Sequence, residues 1–162
     1  MICLHSARIA RLLVALLLMA GFSCAAMKEQ SLVHWMDYTA ALEKAKKNPK
    51  LIFVDLYADW CIPCRAMDAT VYSDPSIAAL LNLKFYAVKL DAESQDSIVC
   101  DGQKKTVKRC YFDVWELSVL PAFVLIAPKG LTILTVSDSM SPKEMQSLLI
   151  QFLDKEEEWM KR

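Results

Sequence analysis

Apolar and polar positions along this chain follow two rhythms, and the points where one gives way to the other mark its elements. The last periodic segment is the clearest. After Ser141-Pro142-Lys143-Glu144, apolar residues recur at Met145, Leu148, Leu149, Phe152 and Leu153, the spacing of one buried helix face. Ser141 with Glu144 forms a capping box, and Pro142 suits the first helical position. The stripe is core packing. Residues 37–47, DYTAALEKAKK, have helix-forming composition and stop at Asn48-Pro49. The run LIFVDLYA at 51–58 is apolar apart from Asp55, as a strand buried on both faces would be. A helix-like stretch, CRAMDATVY, follows at 64–72. Ser73-Asp74-Pro75 then opens another helix through IAALLN, with Asp74 as N-cap. KFYAVKLD at 84–91 alternates as a strand does, and PAFVLIAPKGLTILTV at 121–136 reads as two strands about a Pro-Lys-Gly turn. Residues 92–118 read as irregular, with a helix expected near 106–117. Together these elements predict an α/β domain with a central mixed sheet in three layers, α/β/α.

The N-terminus has a different layout. Arg8 and Arg11 precede the apolar run Leu12–Ala20, and small residues follow. That is the order of a secretory signal, and the run is short for a membrane span. A signal over residues 1–26, cleaved near Ala25 or Ala26, would leave one domain at 27–162 with a cysteine-containing insertion near 92–118. A buried helix or an uncleaved anchor is the alternative. Cys24 opens another reading, a lipidated first residue, although Gly21-Phe22-Ser23 fits the lipoprotein pattern poorly.

Charge and composition narrow the functions. Nineteen Lys and Arg balance nineteen Asp and Glu, so no basic field points to nucleic acid. His5 falls in the signal, which leaves His34, beside Trp35, as a surface or packing residue. Cys3 and Cys24 lie in or beside the signal. Cys61, Cys64, Cys100 and Cys110 remain in the domain, where an exported protein meets oxidising conditions.

The pair in ADWCIPCRAM, residues 58–67, could hold a metal, staple a loop or shuttle electrons. A structural zinc takes four ligands, often as two close pairs, and only Cys61 and Cys64 have that spacing. A staple across so short a loop would constrain little unfolded chain. The strand-to-helix setting favours exchange chemistry. Cys100 and Cys110 enclose Asp101-Gly102 and the basic run KKTVKR. A bond there would contribute about 3 kcal/mol by loop-closure arithmetic. A structural disulfide is favoured over free thiols or a second redox relay. The basic run is read as a solvated face, with a docking surface for an acidic partner as the sharper alternative.

FVDLYADWCIPC and VLPAFVLIAPKG resemble the thioredoxin-fold superfamily, over roughly residues 32–155. Within it, WCIPCRAMDATVYSDPSIAALLN is similar to the periplasmic C-terminal domain of the electron-transfer protein DsbD and to small exported relatives such as DsbH. Ala122, where thioredoxins usually have threonine, and the 92–118 segment depart from the family pattern.

The resemblance implies thiol–disulfide exchange with no cofactor beyond the dithiol. Cys61, at a helix N-terminus that favours the thiolate, would attack the substrate, and Cys64, more buried, would resolve the mixed disulfide. Asp55 would be the buried acid that takes the proton from Cys64, with Lys89 tuning it. The alternatives are an edge-exposed Asp55 and a solvated Lys89. Trp60, Ile62, Pro63, Leu120 and Pro121 would meet the substrate, Trp60 packing beside the site. Pro121 stands at the family's cis-proline position, where an extended substrate strand pairs.

Ile62-Pro63 offers no charge or donor to stabilise the Cys61 thiolate, which leans toward a reductant. Oxidising relatives lie near −120 mV against about −270 mV for thioredoxin, a gap of about 7 kcal/mol for two electrons. The expectation is an exported, periplasmic, monomeric protein-disulfide reductase. It would act on disulfide-containing exported proteins and be recharged by a DsbD-like membrane donor. A disulfide-forming oxidase and a non-catalytic thioredoxin-fold binding module are the alternatives.

Overall fold

A computed structural model describes residues 31–161. The secretory segment read over residues 1–26, with Cys24 and the cleavage site, lies outside the described residues. In chain order the elements begin with α1 (Tyr38–Lys47), β1 (Leu51–Tyr57), α2 (Ile62–Thr70), α3 (Pro75–Lys84) and β2 (Phe85–Asp91). A short hairpin follows, β3 (Ser97–Cys100) and β4 (Gln103–Thr106). Next come one helical turn, α4 (Val107–Arg109), and a π-helical turn, Cys110–Val114. The chain ends with β5 (Ala122–Ile126), β6 (Thr132–Val136), α5 (Pro142–Leu153) and α6 (Glu156–Lys161).

The buried run that sequence periodicity assigned to a strand becomes β1, one of the two inner strands of a four-stranded mixed sheet ordered β2-β1-β5-β6. β1 runs parallel to β2 and antiparallel to β5, and β6 pairs antiparallel with β5. Successive side chains of a strand point to opposite faces, so β1 feeds two separate cores. Ile52, Val54 and Leu56 pack with Tyr38, Ala41 and Ala45 of α1 and with Trp115. Leu51 and Phe53 pack on the other face with Met67, Ile77, Leu81, Met145 and Leu149, from α2, α3 and α5. Asp55 belongs by alternation to that second face. The architecture is the three-layer α/β/α arrangement expected from the pattern.

The helix ends follow local chemistry. Asp37 accepts the Ala40 amide at 2.9 Å, and Asp74 caps α3 through the amides of Ser76 and Ile77. The capping box at Ser141 and Glu144 is formed in both directions. Cys61 is the cap of α2, the helix N-terminus that the resemblance implies, and Pro63 sits in the first turn, so the helix begins two residues ahead of the stretch read from Cys64.

Residues 92–118 are more ordered than their irregular pattern suggested. Asp101 and Gly102 both have positive φ, 45° and 76°, the two-residue turn that joins twisted hairpin strands. The strands are four residues each, too short for alternation to show. The helix expected near 106–117 is one turn plus the π-helical turn. The Cys100–Cys110 disulfide ties the hairpin to that turn, and both residues are buried. The Tyr38 hydroxyl donates to the Val99 carbonyl at 3.0 Å, and Asp101 accepts the Thr132 amide at 2.6 Å. The hairpin is thereby fixed to α1 and to β6.

Candidate active site

β1 ends at Tyr57, and the chain turns through Ala58-Asp59-Trp60 before α2 begins. The Cys61 amide donates to the Ala58 carbonyl at 3.0 Å, closing that turn. As the cap of α2, Cys61 has extended backbone angles, and its Sγ accepts the Cys64 amide at 3.2 Å. Sulfur therefore stands where the unpaired amides of a helix N-terminus concentrate positive potential. Pro63 costs nothing there, since its missing N–H would have had no helical partner. Among the described residues no side chain donates a hydrogen bond to Cys61.

Cys61 and Cys64 are joined as a disulfide and pack with Ala58, Tyr57 and Leu120. The expected contrast in burial is absent: Cys61 is 1% exposed and Cys64 5%. Position at the cap, rather than exposure, separates the two sulfurs. The Leu120–Pro121 peptide is cis and Pro121 is buried, with half-buried Leu120 against the cysteines. Trp60 and Ile62 are 64% and 70% exposed. Trp60 therefore projects outward instead of packing beside the site, and its indole N–H donates to Glu93 at 3.0 Å. Pro63 is exposed as well, as is Val119 on the facing loop.

A charged network lies on the sheet face that α2 covers. Asp55 is the one buried charged side chain among the described residues, 3% exposed. Strand register places Lys89 of β2 directly opposite it. Lys89 Nζ lies 2.9 Å from Asp55 Oδ2 and also binds Asp68 of α2. The Tyr72 hydroxyl donates to Asp55 Oδ1 at 2.9 Å. Burial pushes the Asp55 carboxyl above the usual carboxylate range, against the opposing pull of Lys89 and Tyr72. Burial also works against the Lys89 ammonium, yet Asp55 and Asp68 together leave its pKa raised. Tyr72 is held well above its ordinary value by burial and then by Asp55.

The structure thus brings Cys61, Cys64, Leu120 and Pro121 together, with Asp55 and Lys89 paired on the α2 face of the sheet. Cys100 and Cys110 belong to the core on the opposite face. Exposed His34 is held through its backbone amide by Asn82 at 2.8 Å. Sequence reasoning missed Asp68, Tyr72, Glu93 and Trp35. Asp68 had a signal, since it follows Cys64 by four residues and so shares its helix face. Tyr72, Glu93 and Trp35 had none, because only the folded chain carries them to the site.

A family model described as Thioredoxin-like matches residues 34–128, and the chain belongs to that family. Over 91 residues it is 30% identical to the thiol:disulfide interchange protein DsbD 1 of Pseudomonas aeruginosa. That match covers 56% of this chain and 14% of the relative, so the chain spans a small part of that protein's length. Among solved structures it is similar to a thioredoxin from Thermus thermophilus, with a TM-score of 0.61 and 21% identity over 76% of this chain and 89% of that one. It is also similar to a DsbH oxidoreductase, with a TM-score of 0.59 and 18% identity over 75% and 85% of the two chains. At such identities the structural likeness is one of fold. Family, fold and site together define a thioredoxin-like domain that carries the Cys61-x-x-Cys64 pair at the start of a helix.

Proposed function

We propose that this protein is an exported protein-disulfide reductase working through Cys61 and Cys64. The observation that carries this reading is the cap geometry: Cys61 Sγ accepts a helix N-terminal amide, and among the described residues no charged side chain donates to it. The amide favours the thiolate needed for attack. The lack of any stronger donor keeps the dithiol from being stabilised as it is in a strong oxidant.

In the reduced protein the Cys61 thiolate attacks one sulfur of a substrate disulfide, breaking that bond and forming a mixed disulfide. The other substrate sulfur leaves as a thiolate and takes up a proton. Cys64 then gives its proton to Asp55 and attacks Cys61 Sγ. The Cys61–Cys64 bond closes as the second substrate sulfur leaves as a thiolate and takes up a proton, Asp55 giving its own back to water, so the substrate departs as a dithiol. Two electrons have passed to the substrate, and a membrane donor of the DsbD kind returns them. The exposed apolar residues Trp60, Ile62 and Val119 and the Leu120–Pro121 edge would receive an extended substrate segment. The signal-like segment at residues 1–26 and the similarity to DsbD support export, which places the substrates among exported proteins.

The equilibrium potential of the Cys61–Cys64 pair against glutathione at pH 7 is the first test. The expected value is near −270 mV, and one near −120 mV would make the protein a disulfide-forming oxidase. Cys61→Ser should abolish insulin disulfide reduction; retained reduction would remove Cys61 from the attacking role.

A further inference from the structure

Lys89 is enclosed by more than its two carboxylate partners. Its Nζ lies 5.3 Å from the Trp35 ring centroid, 5.2 Å from that of Tyr57 and 5.4 Å from that of Tyr72. The rings come from three separate pieces of chain: the segment ahead of α1, the end of β1, and the residues after α2. Trp35 and Tyr72 meet edge to face at 5.1 Å. Main-chain bonding sets Trp35 in place. The Met36 amide donates to the Ala87 carbonyl at 2.8 Å, and Met36 bridges Val88 beyond the outer edge of β2. Alternation then puts Trp35 on the sheet face that Lys89 shares. The indole N–H is anchored to Ser31 Oγ at 3.0 Å.

We propose that Trp35 is a positioning residue for disulfide exchange: with Tyr57 and Tyr72 it holds the Lys89 ammonium between Asp55 and Asp68, and so sets where Asp55 exchanges its proton. The proposal rests on the reading of Asp55 as proton acceptor for Cys64. A cation is attracted to the face of an aromatic ring, most strongly to tryptophan. Ring walls also exclude water and restrict the four-carbon lysine stem. Without Trp35 the ammonium regains water on the side of exposed Asp68 and retreats from buried Asp55. Asp55 then loses part of its counter-charge, which favours its protonated form.

The groups facing this pair are Asp68 of α2, Tyr72 beyond α2, Tyr57 of β1 and Trp35. Both phenols are held above their ordinary range, Tyr72 by burial and then Asp55, Tyr57 by burial and then Asp91 and Asp59. They stay neutral while the carboxylates titrate.

The test follows the Asp55 carboxyl by carbon-13 NMR from pH 4 to 10 in the full-length protein, comparing wild type with Trp35→Leu and Trp35→Phe. Trp35→Leu should raise the Asp55 midpoint by about half a pH unit. Trp35→Phe keeps a ring and should restore most of the wild-type midpoint. An unchanged midpoint in Trp35→Leu overturns the proposal, as does a shift in Trp35→Phe as large as that in Trp35→Leu. Tyr57→Leu removes a second wall and should raise the midpoint too, which preserves the test should Trp35→Leu fail to fold; no shift there overturns it. The catalytic reading is tested apart from this, by the rate at which Cys64 resolves a mixed disulfide in Asp55→Asn. Failure there removes the role of Asp55 as acceptor and leaves the titration result standing.

Discussion

At Asp55 the stability of the fold and the proposed chemistry meet in one side chain. Its folded pKa lies above the unfolded value of about 3.9. Between those two pH values the folded state binds more protons than the unfolded state, so stability falls as pH rises through the window. Above it the cost is complete and constant, about 1.4 kcal/mol for each unit of the shift. Asp55→Asn removes the charge and leaves Lys89 its pairing with Asp68. Urea denaturation across pH 4–8 should therefore show a falling stability in the wild type and no such slope in Asp55→Asn. The variant should be the more stable protein at neutral pH, and a less stable variant there would contradict the dominance of burial. The same substitution should slow resolution of the mixed disulfide by about 100-fold, read by stopped-flow mixing. At this scale the sequence was informative about residue type and, through the family resemblance, about Lys89, but silent about the other partners. Asp55 stood out as an acid in an apolar run, whereas Tyr72 and Trp35 reach its network only through packing.

Among the elements, the hairpin was the least legible, although the sequence favours the Cys100–Cys110 bond that the structure contains. Asp101-Gly102 is a strong turn signal, but Lys104 and Lys105 lack strand character and four-residue strands leave no period to read. The long elements were legible because their burial repeats often enough to be seen. α5 shows its stripe over twelve residues, and β1 is buried along nearly its whole length. Both cysteines of the second pair are buried on the sheet face away from Asp55, which suits a structural bond. Replacing Cys100 and Cys110 together with alanine should cost about 3 kcal/mol by loop closure, measured by chemical denaturation. If the proposed function holds, insulin disulfide reduction at a temperature where the variant is folded should stay near wild type. A large fall in activity with little loss of stability would instead make this pair part of the electron path.

For the whole molecule, the sheet separates two kinds of disulfide, one capping α2 at the end of β1 and one joining the insertion to the other layer. Export is the property that would let both persist. Sequencing the N-terminus of the protein recovered from a bacterial periplasm should show a start just after Ala25 or Ala26. Recovery from the membrane with an acylated Cys24 would establish an anchored form in its place. The amino-acid sequence by itself determined the order of the long elements, the three-layer class and the placing of a Cys-x-x-Cys pair between a strand and a helix. Those features follow from local periodicity, capping and turn chemistry, which act within a few residues. Tertiary structure alone decided that Cys61 is as buried as Cys64 and that Trp60 faces outward. It also decided that Lys89 joins Asp55 to Asp68 inside three aromatic rings. These depend on register across β1 and β2 and on segments distant in the chain, and a contact of that kind leaves no local pattern to read.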